Sequence, residues 1–208
     1  AHQVVTAKMR LGFNDDSTAE ACALALEAGG ASEIVVHART KADAYRPPAY
    51  WHRIADIKAQ VKTPLVANGE IWNVADALQA RAESGCFDLM LGRGIVTNPG
   101  LGWAIKAHDA ATQGNDTPAT QVTWQDLPPH LHTFWQIVSG HVSERHQAGR
   151  LKQWLNFLRK HYPEAEIAYQ ELRTLTEPQR IEDWLRASTG MVDFSTEHHV
   201  HRPAALCD

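Results

Sequence analysis

The sequence predicts an α/β protein: four β-strand–helix units with parallel strands, followed by a small all-α helical domain. Two observations predict it. Over residues 1 to about 107, four short apolar runs that barely alternate are each followed by a stretch with helical spacing. That is the pattern of parallel strands covered by crossover helices. Beyond residue 121 the strand pattern stops and only helical spacing continues.

The units follow in order. "VVTAKM" (4–9) is a β-branched run with Lys8 at its end, and "DSTAEACALALEAGG" is its helix, with an Asp/Ser start and a Gly-Gly stop. "EIVVHA" (33–38) is the second strand, then comes a loop holding "YRPP" and the helical "AYWHRIADIKAQV". "PLVANG" (64–69) is the third strand, and "NVADALQARAESG" its helix, from a cap at Asn73 to a stop at Gly85. "DLMLGR" (88–93) is the fourth strand, followed by "PGLGWAIKAHDA". "TQGNDTPATQ" (112–121) shifts to Thr, Pro, Gly and Asn and reads as a linker. Four helices are expected after it, in "WQDLPPHLHTFWQIVSGHVSER", "GRLKQWLNFLRKHY", "AEIAYQELRTL" and "EPQRIEDWLRAS". Leu151, Trp154, Leu155 and Leu158 form an apolar stripe there.

The polar residues of the first half collect at the strand ends: Lys8 and Arg10, His37 and Arg39, Asn68 and Glu70, Gly92 and Arg93. In a βα barrel that rim carries the active site, and in an open α/β sheet the binding crevice lies on the same side. Singly, each has an ordinary structural explanation: a tight turn, a hydrogen-bonded core histidine, a solvated lysine. Four consecutive strands delivering polar groups to one rim point to a ligand. "GRGIVTNPG" offers backbone N–H groups beside the cationic Arg93, a setting suited to phosphate. Lys8 and His37 would then face a group that gains negative charge, as a reduced flavin does near N1 and C2=O. Asn68 is placed for a ribityl chain or a phosphate.

Composition narrows the classes. With 44% hydrophobic and 21% charged residues the chain is an ordinary globular protein. A net charge of −4 gives no global attraction to nucleic acid, so such contact requires a local patch. Cys22, Cys86 and Cys207 are widely spaced and in no CxxC arrangement, which favours a reducing, cytoplasmic setting. No signal-peptide layout and no membrane-length apolar run is expected.

At "TAKMRLGFND", "IVVHARTK", "VANGEI" and "LMLGRG" the sequence resembles the tRNA-dihydrouridine synthases, flavin enzymes that reduce the C5=C6 bond of uridines in tRNA with NADPH. Around "EIVVHARTKADAYRPPAYWHRI" it is most similar to the C-type bacterial branch, which acts on uridine 16. The resemblance implies FMN contacts from Lys8, His37, Asn68, Gly69, Glu70, Gly92 and Arg93. It also implies that the four units are the C-terminal half of a TIM-type barrel. Residues 1–111 would be a partial βα barrel that binds FMN, 112–121 a linker, 122–200 a helical tRNA-binding domain and 201–208 a tail. The family's catalytic cysteine, in a Gly-Cys-Pro setting, has no counterpart here, so no catalytic residue is assigned. An N-terminal half, or self-association, would complete the barrel.

For tRNA, Arg145, Lys152 and Arg159 recur at intervals of seven with Lys160 adjacent, and the first-half loop adds Tyr45 and Arg46. Tyr45 is suited either to stacking on a base or to packing over the rim. The tail "TEHHVHRPAALCD" holds three histidines within four positions, but that spacing matches no established metal site. Two other functions fit part of the pattern: a catalytically silent RNA-binding module, and a non-redox βα enzyme that holds a sugar phosphate.

Overall fold

A computed structural model describes residues 3–115, 118 and 120–189. The tail histidines and Cys207 lie outside the described residues, as does part of the linker. Four parallel strands form one sheet in the order β1 (Ala7–Gly12), β2 (Ile34–Thr40), β3 (Leu65–Asn68) and β4 (Leu89–Met90). Between them run α1 (Ala19–Ala28), α2 (Trp51–Lys58) and α3 (Val74–Ser84), and after β4 come α4 (Arg93–Thr97) and α5 (Leu101–Thr112). Chain order equals spatial order, so each crossover moves one strand along, and β1 and β4 are the edges.

Alternate residues of each strand face opposite sides. Met9, Leu11, Ile34, Val36, Ala38, Leu65 and Ala67 join one core with Ala19 and Ala23 of α1, Ile54 and Ile57 of α2, and Ala77 and Ala80 of α3. The opposite side of the sheet carries Lys8, Arg10, His37, Arg39 and Asn68 instead. Helix α3 forms as its sequence predicts: the Asn73 side chain accepts from the Asp76 amide, and Gly85 closes it at φ 66°.

Two strand boundaries differ from the sequence reading. β1 starts at Ala7 rather than Val4, because β2 begins only at Ile34, opposite Ala7, leaving Val4 and Val5 exposed. Lys8 is thus the second residue of β1, not its end. β4 stops at Met90, and Gly92 becomes the cap of α4 with Arg93 as its first residue.

Past the linker, a 3₁₀ turn (Trp124–Asp126) leads into α6 (Pro128–His141), α7 (Glu144–Leu158), α8 (Pro163–Leu172) and α9 (Pro178–Thr189). Three of these begin on proline, which suits a first helical turn. The chain breaks at Val142–Ser143, and Gly149 lies inside α7 rather than between helices. Leu151, Leu155 and Leu158 are buried in a second core with Leu131, Trp135 and Leu172. Trp154 packs against the same core, partly buried, and its indole N–H donates to the Val96 carbonyl of α4 at 3.3 Å.

Candidate functional site

Register brings the predicted residues together. Arg10, His37, Asn68 and Met90 align across the four strands as one row. Lys8 sits one row lower, beside Val35. Its long side chain leans along the strand, so Nζ donates to Asn68 Oδ1 at 3.2 Å and meets Met90 Sδ at 2.9 Å. Asn68 Nδ2 donates to the Met90 carbonyl at 2.7 Å, so its amide orientation is fixed from two sides.

The turn after β3 is built tightly. Gly69 has φ 122°, and a Cβ there would stand 3.2 Å from the His37 ring. Glu70 follows at φ 54°, a left-handed conformation that costs a non-glycine residue about 1–3 kcal/mol and persists only where surroundings hold it. Two buried groups do so. The Trp51 indole N–H donates to the Gly69 carbonyl at 2.9 Å, and Arg39, wholly buried, donates Nη2 to the Glu70 carboxylate. Arg39 also donates Nε to the Pro48 carbonyl at 3.0 Å, which ties the loop after β2 to the loop after β3. Helix α4 closes the far side: Gly94 lies so near the Ile71 carbonyl that a Cβ would stand at 2.0 Å.

These walls enclose a cavity of about 250 Å³. All seven residues predicted to touch FMN line it: Lys8, His37, Asn68, Gly69, Glu70, Gly92 and Arg93. A second recess of about 320 Å³ adjoins it, sharing Lys8, His37, Tyr45 and Asn68. Tyr45 packs over the rim, with Arg93 at 4.7 Å and Arg10 at 5.6 Å from its ring centre. It remains exposed.

The site carries excess positive charge: Lys8, Arg10, Arg39 and Arg93 against the single carboxylate Glu70. Burial would raise the Glu70 pKa, but hydrogen bonds from Arg39 and Trp72 more than offset that and hold it below its usual value. His37 goes the other way. Burial first, then the charges of Arg10, Arg39, Lys8 and Arg93, push it down to about 4. Its imidazole is therefore neutral near pH 7, offering one N–H donor and one lone pair. Positive charge toward a ligand comes from Lys8 and Arg93, not from His37 as the sequence reading allowed.

The residues assigned to RNA are scattered. Arg46 is exposed and donates to the Ala42 carbonyl at 3.1 Å. Helix α7 does carry Arg145 and Lys152 without interruption. Arg145 is exposed, while Lys152 is half-buried, and burial lowers its pKa. Arg159, just past the helix, pairs with Glu166 at 3.0 Å and lies 4.3 Å from the Tyr169 ring centre. Lys160 instead reaches the cavity's border, 5.4 Å from the Trp72 ring centre.

Trp72 and Met90 line the cavity unanticipated, and Arg39 proves to be a buried brace rather than a rim group. The only signal for Trp72 was an aromatic residue two positions past Asn-Gly-Glu. Cys22 lies exposed on α1, and Cys86 is buried just before β4, at the end of the sheet away from the rim. Burial pushes the Cys86 thiol pKa up.

The structure is thus a parallel α/β sheet with a cavity at its C-terminal edge that Lys8 and Arg93 line. Comparison with known proteins supplies the family. The dihydrouridine synthase (Dus) family matches residues 2–191, and the chain belongs to that family. It is 48% identical over 185 residues to a tRNA-dihydrouridine(16) synthase of Pseudomonas syringae pv. tomato, covering 89% of this chain and 57% of that protein. A Pseudomonas putida protein of the same name is 46% identical over 85% of this chain and 53% of its own length. One from Neisseria meningitidis serogroup A is 35% identical over 90% of this chain and 55% of its own length. The chain thus spans little more than half the length of the curated relatives it matches. Among the described residues, no helix is long and apolar enough to cross a membrane.

Proposed function

We propose that the chain is the C-terminal part of a flavin-dependent tRNA-dihydrouridine synthase acting on uridine 16, with FMN as its cofactor and NADPH as electron donor. Its four βα units would be half of a TIM-type barrel, and α6–α9 a helical domain that grips tRNA. The observation that carries this reading is the convergence of all seven expected FMN residues on one cavity.

The residues present fit such a group. Lys8 and Arg93 offer cations where an anionic ring and a phosphate need them, and neutral His37 offers a hydrogen bond without competing charge. Gly92 has no atom within 4 Å of where a Cβ would stand, so a ligand can approach its backbone. Arg39 Nη1 is buried without a hydrogen-bond partner, a polar group that the fold itself leaves unsatisfied.

A flavin held by these residues would supply hydride chemistry for reduction of the uridine C5=C6 bond. Lys8 would stabilise negative charge at the ring, and its contact with Asn68 Oδ1 keeps the ammonium at that position. Asn68 would bind the ribityl chain, and Gly92 and Arg93 the phosphate. Among the described residues no cysteine lines the cavity, so the proton for the uracil ring would come from elsewhere in the longer protein. That remainder would also cover the open strand edges.

Visible absorption after mixing with FMN and desalting tests the reading. A retained flavin band that Lys8→Ala weakens is the expected result. A colourless protein that still binds tRNA supports a silent RNA-binding module, and phosphate-ester binding without flavin supports a non-redox enzyme.

A further inference from the structure

Four cations lie in and around the cavity, two of them, Lys8 and Arg93, in its lining, and they are held by different means. Lys8 donates to a side-chain amide, and Arg10 to the carbonyls of Thr40 at 2.8 Å and Ala44 at 3.2 Å. Arg39 is spent on Pro48 and Glu70. Arg93 differs. Its nearest carboxylate oxygen, on Glu70, is 3.6 Å away, too far for a hydrogen bond, and what it rests against is two rings. The guanidinium carbon lies 4.7 Å from the Tyr45 ring centre and 5.1 Å from that of Trp72.

A cation held by π faces keeps its N–H donors free, whereas one held by a carboxylate spends them. Of the two rings, Trp72 is the anchored one. Its indole N–H donates to Glu70 Oε1 at 2.8 Å and its backbone N–H to Asp76 at 2.8 Å. The Lys160 ammonium lies 5.4 Å from the same ring. Tyr45 is 60% exposed and shares its ring with Arg10.

We propose that Trp72 is a positioning residue for Arg93: it holds the guanidinium at the cavity wall with its donors uncommitted, so that they meet the phosphate of the bound flavin. This rests on the reading of the cavity as an FMN site. Trp72 also lines the cavity, so its action through Arg93 is read in the preference for a ligand that carries phosphate over one that does not.

Titration of the purified protein with FMN and with riboflavin, which differ by that phosphate alone, tests the proposal. The wild type should prefer FMN, and Arg93→Met should remove most of the preference. Trp72→Leu should lower the FMN-to-riboflavin affinity ratio about fivefold, the scale of a partly buried cation–π contact. Trp72→Phe, which keeps a ring, should retain most of the ratio. The double variant Trp72→Leu/Arg93→Met should match Arg93→Met alone, because the tryptophan acts through the arginine. An unchanged ratio in Trp72→Leu, an equal loss for both flavins, or additive losses in the double variant would overturn the proposal while leaving the FMN site intact. A wild type that binds neither flavin, or does not distinguish them, would overturn both.

Discussion

His37 and His132 are buried to nearly the same degree, 8% and 7% exposed, in opposite surroundings. Around His37 stand four cations, and the one nearby carboxylate, Glu70, is committed to Arg39. His132 in α6 meets Glu182 of α9 at 2.9 Å, and Glu182 also takes Arg186 at 2.8 Å. The helical half settles its buried charge internally. The sheet half keeps an excess of positive charge at its cavity, where Lys8 and Arg93 stand beside the one lining carboxylate, Glu70.

The largest expected effect comes from deepening that imbalance. Glu70→Ala would strip the carboxylate from Arg39, which is wholly buried, and leaving such a charge unpaired costs about 3–5 kcal/mol. Urea unfolding measures it. A loss below about 1 kcal/mol would mean that the Pro48 carbonyl suffices for Arg39, and the contrast between the halves would weaken.

In the helical half the corresponding vulnerability is packing. Leu155→Ala should cost about 2–5 kcal/mol by emptying the second core. The two cores share no residue, so flavin affinity should move by no more than about twofold. A larger loss would show that the helical half shapes the cavity through its packing and not only through Lys160.

The histidine contrast predicts a pH effect. The His37 pKa lies below that of the unfolded chain, so the unfolded state binds the proton first as pH falls. Stability from the neutral ring is fully present above pH 6.5 and is lost progressively toward about pH 4. His37→Gln, which cannot titrate, should lose less stability than wild type as pH falls through that window, so the difference between the two changes across it. Identical pH profiles for the two proteins would mean that neither burial nor the surrounding cations disfavour a protonated His37.

Much of the sheet half was legible because each clue is local. Lys8, His37 and Asn68 stand on or within two residues of the row that Arg10, His37, Asn68 and Met90 form, Arg93 follows three residues after its last member, and Asn73 and Gly85 mark one helix by capping chemistry alone. What escaped depends on partners far apart in sequence. Glu70 lines the cavity as the sequence suggests, but its pairing with Arg39, 31 positions earlier, is not visible there. Trp72 gains meaning only from Arg93 and Lys160, which the sequence separates by 67 positions and the fold brings to one ring. The start of β1 was misjudged because β-branched Val4 and Val5 favour a strand, yet a strand needs a neighbour, and β2 offers none there. The basic interval in α7 was legible as spacing, but spacing does not reveal which charges are already engaged.

That last point gives the smallest effect and the finest division between the halves. Arg145 is exposed, whereas Arg159 holds Glu166 and rests on Tyr169. If the helical half grips RNA through phosphates, Arg145→Ala should reduce the salt-dependence slope of tRNA binding by about 1, as loss of one phosphate contact does. Arg159→Ala should change that slope less, and its ion pair, at the surface, should contribute under about 1 kcal/mol to stability. The reverse order would mean that the Arg159–Glu166 pair opens to receive a phosphate. The internal balance of the helical half would then be a resting arrangement that RNA displaces, and both halves of the chain would meet their ligands with charge held in reserve.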